Sequence, residues 1–203
     1  MKTFKKIISY IVYWLIQLTW GLPMTLIGAV AALGCLITGH KPKTFGPNIY
    51  FQVGMGWGGM ELGGFFLCSK TCDMRAKYHE AGHGLQNLIW GPLMPFIISI
   101  PSAFRYWLRK MSTRLKKSLF NLFFLLAALI LTTGLACLFG LVFSIKWLTI
   151  VFELLRMYFL LLSIWATTKE IPKYDKQYVE YDSIWFEGQA TNWGIKVYEK
   201  KED

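Results

Sequence analysis

His79-Glu80-Ala81-Gly82-His83 is the stretch on which the reading of this chain turns. Its H-E-x-x-H spacing is a metal-hydrolase pattern with a physical reason. Residues four apart on an α-helix project from one face, so His79 and His83 can grip a single metal ion. Glu80 then stands beside the open coordination position. There it can take a proton from a water and later return it to a leaving group. The chain has three histidines, and two of them fall here. The plain alternative is a polar helix face whose histidines only hydrogen-bond.

The pattern predicts its own helix. Asp73 is a candidate N-cap. The helix is expected from about Met74 to Ile89, stopped by Gly91-Pro92. Gln86 and Asn87 fall one turn on, where they can orient ligands from a second shell or simply be solvated. Cys68-x-x-x-Cys72 lies just upstream and, with His79 and His83, forms a rival closed Cys₂His₂ site. That rival has a short gap before His79 and leaves Glu80 without a role. A Cys68–Cys72 disulfide requires an oxidising compartment. Cys35 and Cys137 lie in apolar runs and read as small buried hydrophobes.

Composition sets the surroundings. Of 203 residues, 54% are hydrophobic and 17% aromatic, which is too apolar for an ordinary soluble domain of this length. The reading is an integral membrane protein, mainly α. The net charge of +10 then marks a cytoplasmic face in contact with anionic membrane lipid. No basic-aromatic recognition motif supports nucleic-acid binding.

Four segments follow. Residues 1–39 form an N-terminal membrane anchor, with no clean cleavage site after the apolar run. Its uncharged stretch Ile7–Thr38 exceeds one crossing, and Gly21-Leu22-Pro23 interrupts it. It is one kinked helix or a pair of short ones. Residues 40–117 form the metal-binding region. A Gly-rich β-hairpin is expected there, with strands near Ile49–Val53 and Gly64–Leu67. Gly63, Gly64, Phe65 and Phe66 are candidates to bind an extended substrate by backbone pairing, or else a packed loop. The proline-broken run 88–104 reads as an interfacial or re-entrant helix, and 105–117 as a basic cytoplasmic cluster. Residues 118–166 form a transmembrane hairpin, in which Glu153 and Arg156 can pair. Residues 167–203 hold a final helix near Ser183–Lys200.

A catalytic zinc needs a third protein ligand. Glu187, in Trp185-Phe186-Glu187-Gly188-Gln189-Ala190-Thr191, is the candidate. Helices that share a metal must approach closely. Ala81, Gly82 and Gly84 offer small surfaces on one helix, and Gly188 and Ala190 on the other. Thr191, one turn on, can hydrogen-bond a ligand. An ordinary exposed carboxylate is the alternative. If the three ligands meet, the chain between them crosses the membrane an even number of times. A cytoplasmic site agrees with the basic clusters and leaves Lys146 facing out.

Together, His79-Glu80-Ala81-Gly82-His83-Gly84, Gly91-Pro92-Leu93, Ile100-Pro101-Ser102 and the Trp185–Thr191 run resemble a group of small bacterial membrane proteins. These look like gluzincin-type metallopeptidases. The resemblance spans roughly 63–104 and 181–196. It implies zinc on His79, His83 and Glu187, Glu80 as general base, and a bacterial cell membrane. Thr191 stands where many gluzincins carry an Asp. The expected function is a membrane-embedded zinc hydrolase, a peptidase acting on a peptide or protein substrate. The alternative is a non-catalytic accessory or immunity protein with the same fold. A transporter would need more intramembrane charge and internal repeats. Tyr181, Asn192 and Tyr78 are the candidates for stabilising an oxyanion.

Overall fold

The computed structural model describes residues 2–174 and 179–199, so the Lys200 end of the expected last helix lies outside the described residues. The chain begins with helices α1 (Lys2–Gln17) and α2 (Leu22–Ile37). Strands β1 (Lys43–Phe45), β2 (Asn48–Gln52), β3 (Gly59–Leu62) and β4 (Phe65–Cys68) follow. Then come α3 (Met74–Trp90), α4 (Ile100–Lys110), α5 (Arg114–Cys137), α6 (Lys146–Trp165), a one-turn α7 (Ile171–Lys173) and α8 (Trp185–Tyr198). The fold is mainly helical with one small sheet. It divides into two compact units, residues 1–100 with 180–203, and residues 101–179.

In the first unit the long apolar run is two helices, meeting at 99°. Pro23 sits in the first turn of α2, where a missing N–H costs nothing. The corner is tied down by buried polar groups. Gln17 donates from Nε2 to the Gly84 carbonyl at 3.1 Å, and its Oε1 accepts from Thr25 at 3.0 Å and Asn87 at 2.5 Å. Asn87 also donates to the Gly21 carbonyl at 3.2 Å. Three elements therefore converge on one glutamine, and each buried polar group that loses its partner there costs about 1–3 kcal/mol.

The sheet corrects the expected hairpin. Its order is β1-β2-β4-β3. The strands read as one hairpin, β2 and β4, instead lie parallel, with Ile49 opposite Phe65 and Gln52 opposite Cys68. Two tight hairpins are present. One joins β1 to β2, and the other joins β3 to β4 through Gly63, whose φ of 74° favours glycine. β4 therefore has both edges paired. It has no free backbone for a substrate, so Gly63, Gly64, Phe65 and Phe66 do not form the expected binding edge. They are packing residues. A Cβ on Gly63 would lie 2.4 Å from Thr25 Oγ1, and one on Gly64 2.6 Å from the Trp14 ring. Phe65 meets Trp14 edge-on at 5.6 Å, and the buried Phe66 stacks on Tyr50 at 4.9 Å.

In the second unit, α5 continues through a π turn to Val142, and α6 through another π turn and α7 to Lys173. Both stretches are long and apolar enough to cross a membrane. They pack as a hairpin and turn Ile130, Leu141 and Leu154 outward. Asn121 on α5 clamps α6, donating to the Ser163 carbonyl and to Thr167 Oγ1 at 3.2 and 2.9 Å. Arg156 pairs with Glu153 as expected from their spacing, and also donates to Thr133. At the far end Arg105 and Glu170, both fully buried, pair at 2.5 Å. Tyr174 and Lys173 also donate to Glu170, so the desolvated carboxylate is well supplied. Cys137 faces outward on α5, while Cys35 is buried as expected.

Candidate metal centre

The site is built by α3 and α8. The Asp73 side chain caps α3 by accepting from the Ala76 N–H at 2.8 Å, and Gly91, with φ 48°, ends it before Pro92. The run after Pro92 is not a continuous helix but a 3₁₀ turn and a π turn leading into α4. The two site helices touch backbone to backbone. A Cβ on Gly82 would lie 1.8 Å from the Ala190 carbonyl oxygen, and one on Gly194 1.8 Å from that of Tyr78. Gly84 faces elsewhere, toward Tyr13 and Asn48, and Gly188 lies against the Asp182 carbonyl. Gly82→Val is therefore expected to destabilise the protein by at least the ~3 kcal/mol end of the overpacking range, because a rigid backbone cannot yield. Gly84→Ala meets two side-chain tips closely, with the Gly63 carbonyl oxygen at an ordinary 3.5 Å, and should cost less. Thermal unfolding of both variants checks the ranking.

That approach brings three donors together. His83 Nε2 lies 3.1 Å from His79 Nε2 and 3.1 Å from Glu187 Oε2, and His79 Nε2 lies 3.2 Å from the same oxygen. This near-equilateral triangle fits a metal. Zinc bonds of about 2.0–2.1 Å in tetrahedral geometry separate their ligands by about 3.3 Å. Glu187 is fully buried and its other oxygen has no partner. Among the described residues no other group of His, Cys, Asp and Glu donors gathers in this way. The rival site with Cys68 and Cys72 is not formed. Cys68 is buried on β4, where burial and the neighbouring Cys72 raise its thiol, and neither cysteine is among the donors that gather with His79 and His83.

Each histidine is oriented from behind. His83 Nδ1 contacts Gln86 Oε1 at 2.7 Å, and Gln86 in turn donates to the Phe186 carbonyl and to Gln189 on α8. Since Gln86 Oε1 can only accept, His83 Nδ1 donates to it, and Nε2 is the atom turned toward the other donors. His79 Nδ1 meets Thr191 Oγ1 at 2.8 Å, and Thr191 donates to Asp182 Oδ2 at 3.1 Å. Asp182 also binds Arg75 at 3.1 Å. The carboxylate that usually backs a metal-ligating histidine is thus supplied through a threonine hydroxyl. Asn87 does not join this shell. It points to the α1–α2 corner and onto Gln17, because eight residues on from His79 the helix has turned by about 80°. Tyr181 packs edge-on to His79 at 5.7 Å. Tyr78 is buried with Ala81 and Tyr198, away from the donors, and Asn192 is exposed.

Burial shapes the charges. It works to raise the Glu187 pKa, but hydrogen bonds from His79 and His83 outweigh it and hold the carboxyl well below the usual range. Burial alone would lower His83; Glu187, Glu80 and Glu61 reverse this and lift it to about 9. Glu80 is raised by burial, partly offset by the two histidines. Its side chain lies against Gly59 of β3, where a Cβ would come within 2.5 Å of its Oε1.

Glu61, on β3, went unnoticed in the sequence. It is buried, neither carboxylate oxygen has a partner, and burial lifts it to about 8 against the opposing pull of His83. An acid at an inward position of a short strand was the only available signal. These shifts give the metal-free protein a pH dependence. The His83 proton stabilises fully below about 6.5 and is lost as pH rises through about 9. The Glu61 proton stabilises below about 4.5 and is lost as pH rises through about 8. Both act in one direction, so the melting temperature in EDTA should fall from pH 6 to pH 9. Metal uptake requires His83 to release its proton, so zinc-loaded protein should show the opposite trend.

No family model, curated protein or solved structure matches this chain.

Proposed function

We propose that the chain is a membrane-embedded zinc hydrolase, a metallopeptidase of the gluzincin kind. The observation that carries this is the donor triangle of His79, His83 and Glu187, with Glu80 as the adjoining carboxylate. A zinc ion bound there supplies Lewis acidity, polarising a carbonyl and making a water easier to deprotonate. Glu80 takes that proton on its carboxylate and passes it to the leaving amine. Its raised pKa suits both steps. Gln86 holds His83 through Nδ1, and Thr191 with Asp182 holds His79. β3 takes the role the sequence assigned to β4. It is one of the two edge strands, and it lies against α3 beside Glu80. An extended peptide can pair with its outer edge beside Glu80, whose side chain packs directly against Gly59.

α5 and α6 supply the two crossings that return Glu187 to the side of His83. The test is cleavage of a fluorogenic peptide library by zinc-loaded protein in liposomes. Cleavage that disappears on chelation and returns with zinc is the expected result, and no cleavage of any peptide counts against the reading. The burial of Glu80 and Glu187 favours one other function, an accessory or immunity protein in which the ion is structural. There Glu80→Gln would leave the cellular phenotype intact.

A further inference from the structure

An apolar groove of about 390 Å³ opens on the first unit, on the side of α3 and α8 away from the donors. One wall is α1, along the stripe Lys5, Ser9, Val12 and Ile16. The floor is Leu85 and Leu88 of α3 and Val197 and Tyr198 of α8. Three features identify its occupant. First, its polarity is graded. Lys5, Ser9 and Tyr10 cluster toward one end, and Lys6 sits over the Tyr10 ring at 5.8 Å from its centroid. The other end is Ile16, near which Gln17 binds the Gly84 carbonyl beside Leu85. Second, its length fits. From Lys5 to Ile16 is eleven residues, about 16 Å of helix, close to half of the ~30 Å hydrocarbon thickness of a bilayer. Third, away from Lys5 the lining is mostly apolar, with Val12, Ile16, Pro47, Leu85, Leu88 and Val197 offering surface to a hydrocarbon chain. The outer face of α1 carries Ile7, Ile11 and Leu15, each more than half exposed, so the helix offers apolar surface to lipid on that side as well.

We infer that this groove is a binding site for one acyl chain of an anionic phospholipid, with the Lys5 end receiving the headgroup phosphate. A basic residue at the mouth of an apolar channel one leaflet deep selects a negatively charged lipid over a zwitterionic one. The occupant contacts the backs of both helices that carry the metal donors, and so braces their packing. The inference rests on the membrane reading and not on hydrolysis.

The test uses the full chain purified in dodecyl maltoside, titrated with dioleoyl phosphatidylglycerol or dioleoyl phosphatidylcholine and followed by native mass spectrometry. One phosphatidylglycerol per chain should be retained. Lys5→Glu, at an exposed position, should weaken that binding at least about fivefold and leave phosphatidylcholine unaffected. Val12→Trp, also exposed, should fill the groove and abolish retention. Equal retention of the two lipids by the wild type would overturn the inference, as would undiminished phosphatidylglycerol binding in Val12→Trp. A chain dimer that Val12→Trp dissolves would assign the groove to a second copy instead. None of these readouts depends on metal content or cleavage, so failure here and failure of the hydrolase reading are separable.

Discussion

Glu187→Ala and His83→Ala are each expected to empty the metal centre, taking zinc by mass spectrometry from one ion per chain to none. The two residues face each other across one 3.1 Å edge of the donor triangle, and both are buried. Removing either leaves two donors, too few for a stable tetrahedral site. The loss in affinity should exceed the ~10–100-fold typical for deleting an outer hydrogen bond such as that of Thr191. Glu187→Gln keeps the volume and separates metal loss from a packing defect, since α8 stays filled. Cys72→Ala should retain the ion, because neither cysteine belongs to the triangle. Zinc that persists in both Glu187 variants and vanishes with Cys72 would refute the assignment.

The second large effect is expected from Glu80→Gln. The amide has the shape of the carboxylate but cannot accept and return a proton. Peptide cleavage should fall by about 10²–10⁴-fold, the span usual for losing a positioned acid–base group. Zinc content should stay at the wild-type level, since Glu80 is not among the three donors. Gln also removes a buried, partly unfavourable charge, so the variant should melt no lower than wild type. Turnover that survives the substitution would sink the mechanism while leaving the metal site standing.

How much of this was legible beforehand follows from the range of each interaction. The helix under His79 and His83 is local, with an N-cap, a four-residue spacing and a Gly-Pro stop all inside one segment. The interruption of the first run was also readable, because Pro23 acts on its own backbone, but whether it gives one kinked helix or two was left open and the structure decided for two. Glu187 could be proposed from its small-residue neighbours, since close helix approach needs glycine at the contact. There the reading was right for Gly82 and Ala190, while Gly84 and Gly188 turned out to serve other contacts.

By itself, then, the sequence determined the hairpin of two helices long and apolar enough to cross a membrane and the H-E-x-x-H helix, and it put forward Glu187 as the third donor. All of these depend on hydrophobic run length, helical period or steric size within short windows. Only the tertiary structure decided that β4 is an inner strand and β3 an edge. That depends on a parallel pairing of β2 with β4 across an intervening hairpin, and pairing between distant strands leaves no mark on local alternation. It also decided that Asp182 reaches His79 through Thr191, that Asn87 serves the α1–α2 corner, and that Glu61 lies buried near Glu80. Each is a polar contact between distant segments. A polar side chain's partner is set by what the fold delivers to it, and not by its neighbours in the chain.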